Sequence, residues 1–261
     1  MSCQLGGHGV LVTRPRLQSE HLCRLIASAG GQPIAFPTIE IRPVELSDSA
    51  RAQLDGPWDL ILFVSRNAVE FGVAQLEEAL ASSRGDTHPM VAAVGRATAG
   101  ALTSLGMGPD LVPDSGFDSE ALLALPALTD VGGRRILIVR GIGGRAVLGD
   151  TLAQRGAQVA FAEVYQRVRP HIDLSGELKV WKRSLGFITA TSDEVLNNLC
   201  SMVGPNHLPW LHRIPLAVMS ERGGVTAMTL GFRTVAVASD TSDEGILDAL
   251  CRLAMNRRPA P

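Results

Sequence analysis

No two cysteines of this chain sit close enough in sequence to suggest a pair. The four, Cys3, Cys23, Cys200 and Cys251, are scattered and form no Cys-x-x-Cys. That argues against a zinc site and a disulfide framework and predicts a reducing cytoplasm. The six histidines form no metal-spaced pair, so no metal is expected. No apolar run approaches the roughly 18 residues of a membrane span. Met1 to Gly9 lack the charged and apolar regions of a signal peptide. A net charge of -2 leaves no strong field for nucleic acid or an anionic membrane. Also missing are a Ser-His-Asp order, a Cys-His pair and a close carboxylate couple. Without a strong nucleophile or metal centre, the favoured chemistry is one in which the substrate supplies much of the reactivity. Tyrosine occurs once, as Tyr165.

What the chain does have, it has twice. Val10-Leu11-Val12-Thr13-Arg14-Pro15 returns about 125 residues later as Ile136-Leu137-Ile138-Val139-Arg140-Gly141. At a similar offset Val64-Ser65-Arg66-Asn67 matches Ala190-Thr191-Ser192-Asp193, and Val94-Gly95-Arg96 matches Met219-Ser220-Glu221. Asp118-Ser119-Glu120-Ala121 matches Ser242-Asp243-Glu244-Gly245. A spacing held this long predicts an internal duplication and two similar lobes, with a ligand cleft between them.

Short apolar runs alternate with helical patterns. Strands are expected at 9–13, 34–41, 59–64, 91–94, 110–112, 135–139, 158–165, 186–190, 215–219 and 234–238. Most are uniformly apolar, as strands covered on both faces must be, so the fold class is α/β with parallel sheets. Gly30, Gly106, Gly156 and Gly231 follow helical runs and read as helix ends. Phe36 to Pro43 and Phe161 to Pro170 are extended, alternating and closed by proline. They read as connections between lobes.

Ligands of parallel sheets sit beyond the carboxyl ends of the strands. Copy one places Thr13 and Arg14, then Ser65, Arg66 and Asn67, then Gly95, Arg96 and Thr98 at such ends. Copy two places Arg140, Gly141, Gly144 and Arg145, then Thr191 and Ser192, then Ser220 and Arg222. Helix N-termini with arginines nearby suit a ligand rich in carboxylates or phosphates. The plainer reading of the Ser, Thr and Asn residues is helix capping. A third reading attaches to Gly141-Ile142-Gly143-Gly144-Arg145-Ala146. This turn satisfies the G-x-G-x-x-A dinucleotide fingerprint, with Glu163 about 20 residues on as the ribose acid. The equivalent turn in copy one, Arg14 to Gln18, has no glycine. Tyr165 lies on the second connecting strand. Its phenol can donate a proton to a departing oxygen, or simply pack between lobes.

Taken in order, these blocks resemble uroporphyrinogen-III synthase over nearly the whole chain. They are Val10 to Pro15 with Gln18, Phe36 to Ile41, Trp58 to Val69 and Val91 to Ala99. In the second half they are Ile136 to Gly141 with Gly144-Arg145, and Val164-Tyr165-Gln166-Arg167. The resemblance implies two flavodoxin-like parallel-sheet lobes joined by a two-stranded β-ladder. One lobe would be 1–37 with 169–261, the other 42–164, with 38–41 and 165–168 as the connecting strands. It implies closure of hydroxymethylbilane, with inversion of the last pyrrole ring and loss of water, to give uroporphyrinogen III on the route to haem. No cofactor is implied, because an electron-rich pyrrole expels its own hydroxyl.

On this resemblance Tyr165 assists hydroxyl loss, and Ser65, Thr191 and Ser192 are cleft residues. Gly223 stands where many relatives carry a threonine, in the turn formed by Ser220, Glu221 and Arg222. The implied protein is a cytoplasmic monomer with transient contact, if any, with the preceding enzyme of the pathway. Two alternatives remain from the sequence: a non-catalytic, synthase-like polyanion-binding protein, and a nicotinamide-dependent oxidoreductase built on the turn at 141–146.

Overall fold

The computed structural model describes residues 4–81, 88–116, 118–144 and 146–256. The chain divides into two compact units, Met1–Glu40 with Val168–Pro261, and Ile41–Arg167. It begins with β1 (Gly9–Val12), α1 (Glu20–Ser28) and β2 (Gln32–Ala35), and β3 (Glu40–Pro43) straddles the boundary. The second unit continues with α2 (Asp48–Leu54), β4 (Leu60–Phe63), α3 (Arg66–Gly72), α4 (Glu77–Ala81), β5 (Met90–Ala93) and α5 (Arg96–Ser104). It closes with α6 (Ser119–Leu123), β6 (Arg135–Gly141), α7 (Val147–Gln154) and β7 (Gln158–Val168). The first unit then resumes with α8 (Ser175–Ser184), β8 (Leu185–Ala190), α9 (Asp193–Val203) and α10 (Leu208–Leu211). Its last elements are β9 (Leu216–Val218), α11 (Glu221–Leu230), β10 (Val235–Val237) and α12 (Asp243–Met255).

Each unit holds one five-stranded sheet, ordered β10-β9-β8-β1-β2 in the first and β3-β7-β6-β4-β5 in the second. The pairs β1–β2, β1–β8, β8–β9 and β9–β10 are parallel, as are β4–β5, β4–β6 and β6–β7. The order turns back beside β1 in one unit and beside β4 in the other. Such switch points open a crevice at the carboxyl edge of a parallel sheet.

The uniformly apolar strands follow from burial on both faces. Ile61 and Phe63 of β4 pack with Leu137 and Val139 of β6 in one core cluster. The alternate residues Leu60, Leu62, Ile136 and Ile138 pack in another. A strand whose side chains alternate between two dry layers has no polar face. The first unit has a core of its own around Val10, Val12, Leu22, Phe187 and Ile246. Gly30, Gly106, Gly156 and Gly231, expected as helix ends, all adopt positive φ, between 72° and 103°.

Two expected strands differ. The run 34–41 is not one strand. It breaks between β2 and β3, where Pro37 has no N–H and Thr38 is tied elsewhere. The Thr38 N–H donates to the Thr13 carbonyl at 3.0 Å, its hydroxyl donates to the Val195 carbonyl at 3.1 Å, and Asn198 donates to its carbonyl at 3.0 Å. The run 110–112 contributes a single bridge, Leu111 to Ala92, because the Asp110 carboxylate accepts from the Val91 N–H at 2.7 Å and Pro113 follows. Among the described residues, Cys23 and Cys200 are free thiols.

Candidate active site

The second unit builds a cavity of about 470 Å³ at the carboxyl edge of its sheet, over the switch point between β4 and β6. Val64 and Ser65 line it from the end of β4, Val94 from the end of β5, and Arg140, Gly141, Ile142, Gly143 and Gly144 from the end of β6. Phe161, Tyr165 and Arg167 come from β7, and Asp118 and Ser119 from the start of α6.

Tyr165 is the centre of this arrangement. It is only 4% exposed, and its hydroxyl lies 3.1 Å from the Ser65 Oγ. Its ring rests directly on Gly141, where a Cβ would come within 2.5 Å of Cε2. Gly141 is therefore small because Tyr165 lies above it. Ser65 is the N-cap of α3, and its Oγ accepts from the Ala68 N–H at 3.0 Å. The helix it caps lies close on the sheet, because Gly72 leaves room for Val139: a Cβ at 72 would meet that side chain at 2.7 Å. Sequence-distant elements thus bring a serine and the single tyrosine into one hydrogen bond.

Arg140 is held from three sides. It pairs with Glu163 at 2.9 Å, reaches the Gly144 carbonyl at 3.4 Å and lies 3.9 Å over the Phe161 ring. These contacts correct the dinucleotide reading of the turn. Glu163, the acid that the fingerprint needs for a ribose, is engaged by Arg140. Gly141 is required by the tyrosine ring instead of by a pyrophosphate. Arg145 lies outside the described residues.

The remaining expected residues of this unit sit on the same edge but off the cavity lining. Arg66 and Asn67 open α3. Gly95 caps α5, Arg96 donates to the Asp114 carbonyl at 3.3 Å, and Thr98 is buried in α5. Burial removes Thr98 from direct contact with a ligand.

The first unit gathers its expected residues at the carboxyl ends of β1, β8 and β9, which are adjacent in the sheet. Thr13 is fully buried and donates to the Thr189 carbonyl at 2.5 Å, so its hydroxyl ties β1 to β8 and is not offered to a ligand. Arg14 is 9% exposed, pairs with Asp243 at 2.5 Å and reaches the Gln18 carbonyl at 3.3 Å. Its Nε and Nη2 are buried and have no hydrogen-bond partner among the described residues. Thr191 is half-buried, and Ser192 is exposed and caps α9. Ser220 caps α11, and the exposed Arg222 pairs with Asp193 at 2.9 Å. Capping, the plainer reading, is therefore a real role of Ser65, Ser192 and Ser220.

Asp118, Ser119, Ile142 and Phe161 line the cavity without having stood out in the sequence as ligand groups. Asp118 caps α6 by accepting from the Ala121 N–H at 2.8 Å, and its place in the internal repeat was the only signal. Among the described residues, no group of three or more His, Cys, Asp and Glu is arranged to hold a metal ion.

A pair of parallel-sheet α/β units, one with a buried tyrosine over a carboxyl-edge cavity, defines the class. The family model described as uroporphyrinogen-III synthase HemD matches residues 20–248. The chain is 36% identical to the uroporphyrinogen-III synthase of Escherichia coli K12 over 92% of its own length and 99% of that protein. It is 36% identical to the Salmonella typhimurium protein of the same name, again over 92% and 99%. In fold it is similar to the crystal structure of a mutant uroporphyrinogen III synthase from the extremely thermophilic bacterium Thermus thermophilus. There the TM-score is 0.59 at 19% identity, covering 96% of this chain and 100% of that one. The chain belongs to the uroporphyrinogen-III synthase family.

Proposed function

We propose that this chain works as a uroporphyrinogen-III synthase, closing hydroxymethylbilane with inversion of its last ring and loss of water. The observation that carries the reading is the Tyr165–Ser65 pair over the second unit's cavity, in a chain that matches the family along nearly its whole length. The substrate is a linear tetrapyrrole with eight carboxylates. Its terminal hydroxymethyl group leaves when the pyrrole nitrogen pushes electrons toward it and a proton reaches the departing oxygen. Tyr165 is the donor of that proton, a role suited to a neutral phenol. The azafulvenium so formed is attacked through a spiro intermediate, and the protein's larger task is to hold the conformation that makes this attack faster than direct closure.

Arg140, Gly141 and Gly144 border the cavity and serve the substrate's carboxylates there, with Arg145 following in the same turn. Ser65, Arg66, Asn67, Gly95, Arg96 and Thr98 complete the carboxyl edge of that sheet. Thr13, Arg14, Thr191, Ser192, Ser220 and Arg222 form the equivalent edge of the other. Of these, the buried Thr13, Arg14 and Thr98 act by shaping the turns.

The architecture that goes with this reading is two flavodoxin-like lobes, 1–37 with 169–261 and 42–164, connected through 38–41 and 165–168. The two sheet orders support it. Each runs 2-1-3-4-5 when its strands are numbered from β1 or β4, with β3 standing fifth in the second. The same correspondence supports descent from an internal duplication. The protein acts as a cytoplasmic monomer with at most transient contact with the enzyme that precedes it. No helix among the described residues is long and apolar enough to cross a membrane.

The test is an isomer assay. Hydroxymethylbilane is supplied with and without the protein, the porphyrinogens are oxidised, and the isomers are separated. Isomer III is expected only with the protein. Isomer I alone in both tubes would end the proposal.

A further inference from the structure

Ser65 does two things at once. Its Oγ accepts from the Ala68 N–H at 3.0 Å and lies 3.1 Å from the Tyr165 hydroxyl. A hydroxyl has one proton and two lone pairs. Because one lone pair already serves the Ala68 amide, Ser65 has its proton to give, and the phenol oxygen 3.1 Å away is an acceptor within reach. If Ser65 donates to the phenol oxygen, its proton and one lone pair are both used. Accepting from a helix amide also polarises a hydroxyl and strengthens it as a donor. The chain of bonds then runs from the Ala68 N–H through Ser65 to the oxygen of Tyr165. The phenol's own proton is left to point into the cavity that both side chains line.

The geometry points to Ser65 as a positioning residue whose hydroxyl donates to the Tyr165 oxygen, turning the phenol's proton toward the cavity and holding the phenolate once that proton is given. This rests on the reading of Tyr165 as proton donor. In that step the carbon–oxygen bond of the hydroxymethyl group breaks, and its electron pair leaves with the oxygen. The tyrosine proton joins that oxygen to make water, and the pyrrole nitrogen's electrons form the azafulvenium. The phenolate takes back a proton when the cyclised intermediate sheds one from carbon. A hydrogen bond to that transient anion is charge-assisted and stronger than the one to the neutral phenol.

Because the chain has one tyrosine, its Raman Fermi doublet near 830 and 850 cm⁻¹ reports on Tyr165 alone and needs no substrate. The wild-type doublet ratio should be intermediate to high, the signature of a phenol that accepts, whether or not its own proton also meets water in the cavity. A low ratio, the signature of a donating phenol, overturns the proposal whether or not any variant folds. Ser65→Gly removes the hydroxyl at a capping position that tolerates glycine, and the ratio should fall. Ser65→Thr should restore it. In the isomer assay, Ser65→Gly should lower kcat about tenfold with KM unchanged and add nothing in a Tyr165→Phe background. Full additivity, or a loss confined to KM, overturns the role. An intermediate to high Raman ratio with no isomer III would overturn the proposed function while leaving the hydrogen-bond direction standing.

Discussion

The ring of Tyr165 fills the space that a side chain at residue 141 would need: a Cβ on Gly141 would lie 2.5 Å from Cε2 and 2.6 Å from Cζ. The glycine is not in a positive-φ conformation, so contact with the ring is what restricts it. Gly141→Ala should force the tyrosine off its seat and away from Ser65. Overpacking of this kind costs about 1–3 kcal/mol, or roughly 2–10 °C in Tm for a chain of this size. Activity should fall at least tenfold, because the phenol moves. A thermal melt and the isomer assay check the two effects. An alanine variant with full activity would mean that the ring position is irrelevant to turnover.

Tyr165→Phe removes only the hydroxyl. The ring stays on Gly141 and beside Phe71, whose centroid is 6.3 Å away. Tm should change by less than about 2 °C, while kcat falls roughly ten- to a hundredfold, the range of general-acid contributions. Unchanged kcat in a folded variant would assign the tyrosine to packing.

Arg140 borders the cavity and is steered by Glu163 and the Phe161 ring. If it meets a substrate carboxylate, Arg140→Ala should raise KM about tenfold, the lower range for a hydrogen bond to a charged group, and change kcat less. The KM of wild type should also climb with salt, and that slope should flatten in the variant. A kcat loss with constant KM would instead place Arg140 in the support of Tyr165.

The sheets were legible because their strands are buried on both faces and so read as unbroken apolar runs. The break between β2 and β3 was not, since it depends on Thr38 bonding to Thr13, Val195 and Asn198, none of which is near it in sequence. The same limit governs the site. Tyr165 stood out by being alone, and Ser65 by preceding a helix, but their pairing depends on α3 settling onto Val139. Arg14 reads as a ligand group from the sequence because it stands at the carboxyl end of β1, where parallel sheets bind ligands. Here Asp243, far along the chain, holds it under cover. Phe161 and Ile142 carry no polar signal, and only the register of β6 and β7 brings them to the cavity.

Gly223 lies on α11 without positive φ, and a Cβ there would meet Ser220 Oγ and Val218 Cβ at 3.5 Å, an ordinary contact. The site accepts a side chain, so the glycine is a cost to the helix and not a steric need. Gly223→Ala should stabilise the protein by about 0.5–1 kcal/mol, raising Tm by roughly 1–4 °C. Calorimetry checks this, and a lower Tm would show that the turn relies on the glycine's freedom.

Burial pushes the Cys200 thiol up from 9.0 to about 11 and raises that of Cys23 as well. The folded protein therefore keeps both thiols protonated where the unfolded chain would release the protons. Stability from this source is fully present below pH 9.0, the unfolded value, and is lost as pH rises toward about 11. Tm should accordingly decline across that window, and Cys200→Ser should flatten the decline. At about pH 8 the native protein should react with a thiol reagent at Cys200 only after denaturant is added, since a buried, protonated sulfur is a poor nucleophile. Mass spectrometry of the alkylated protein reads the site directly, and rapid native labelling at Cys200 would contradict its burial in the first unit.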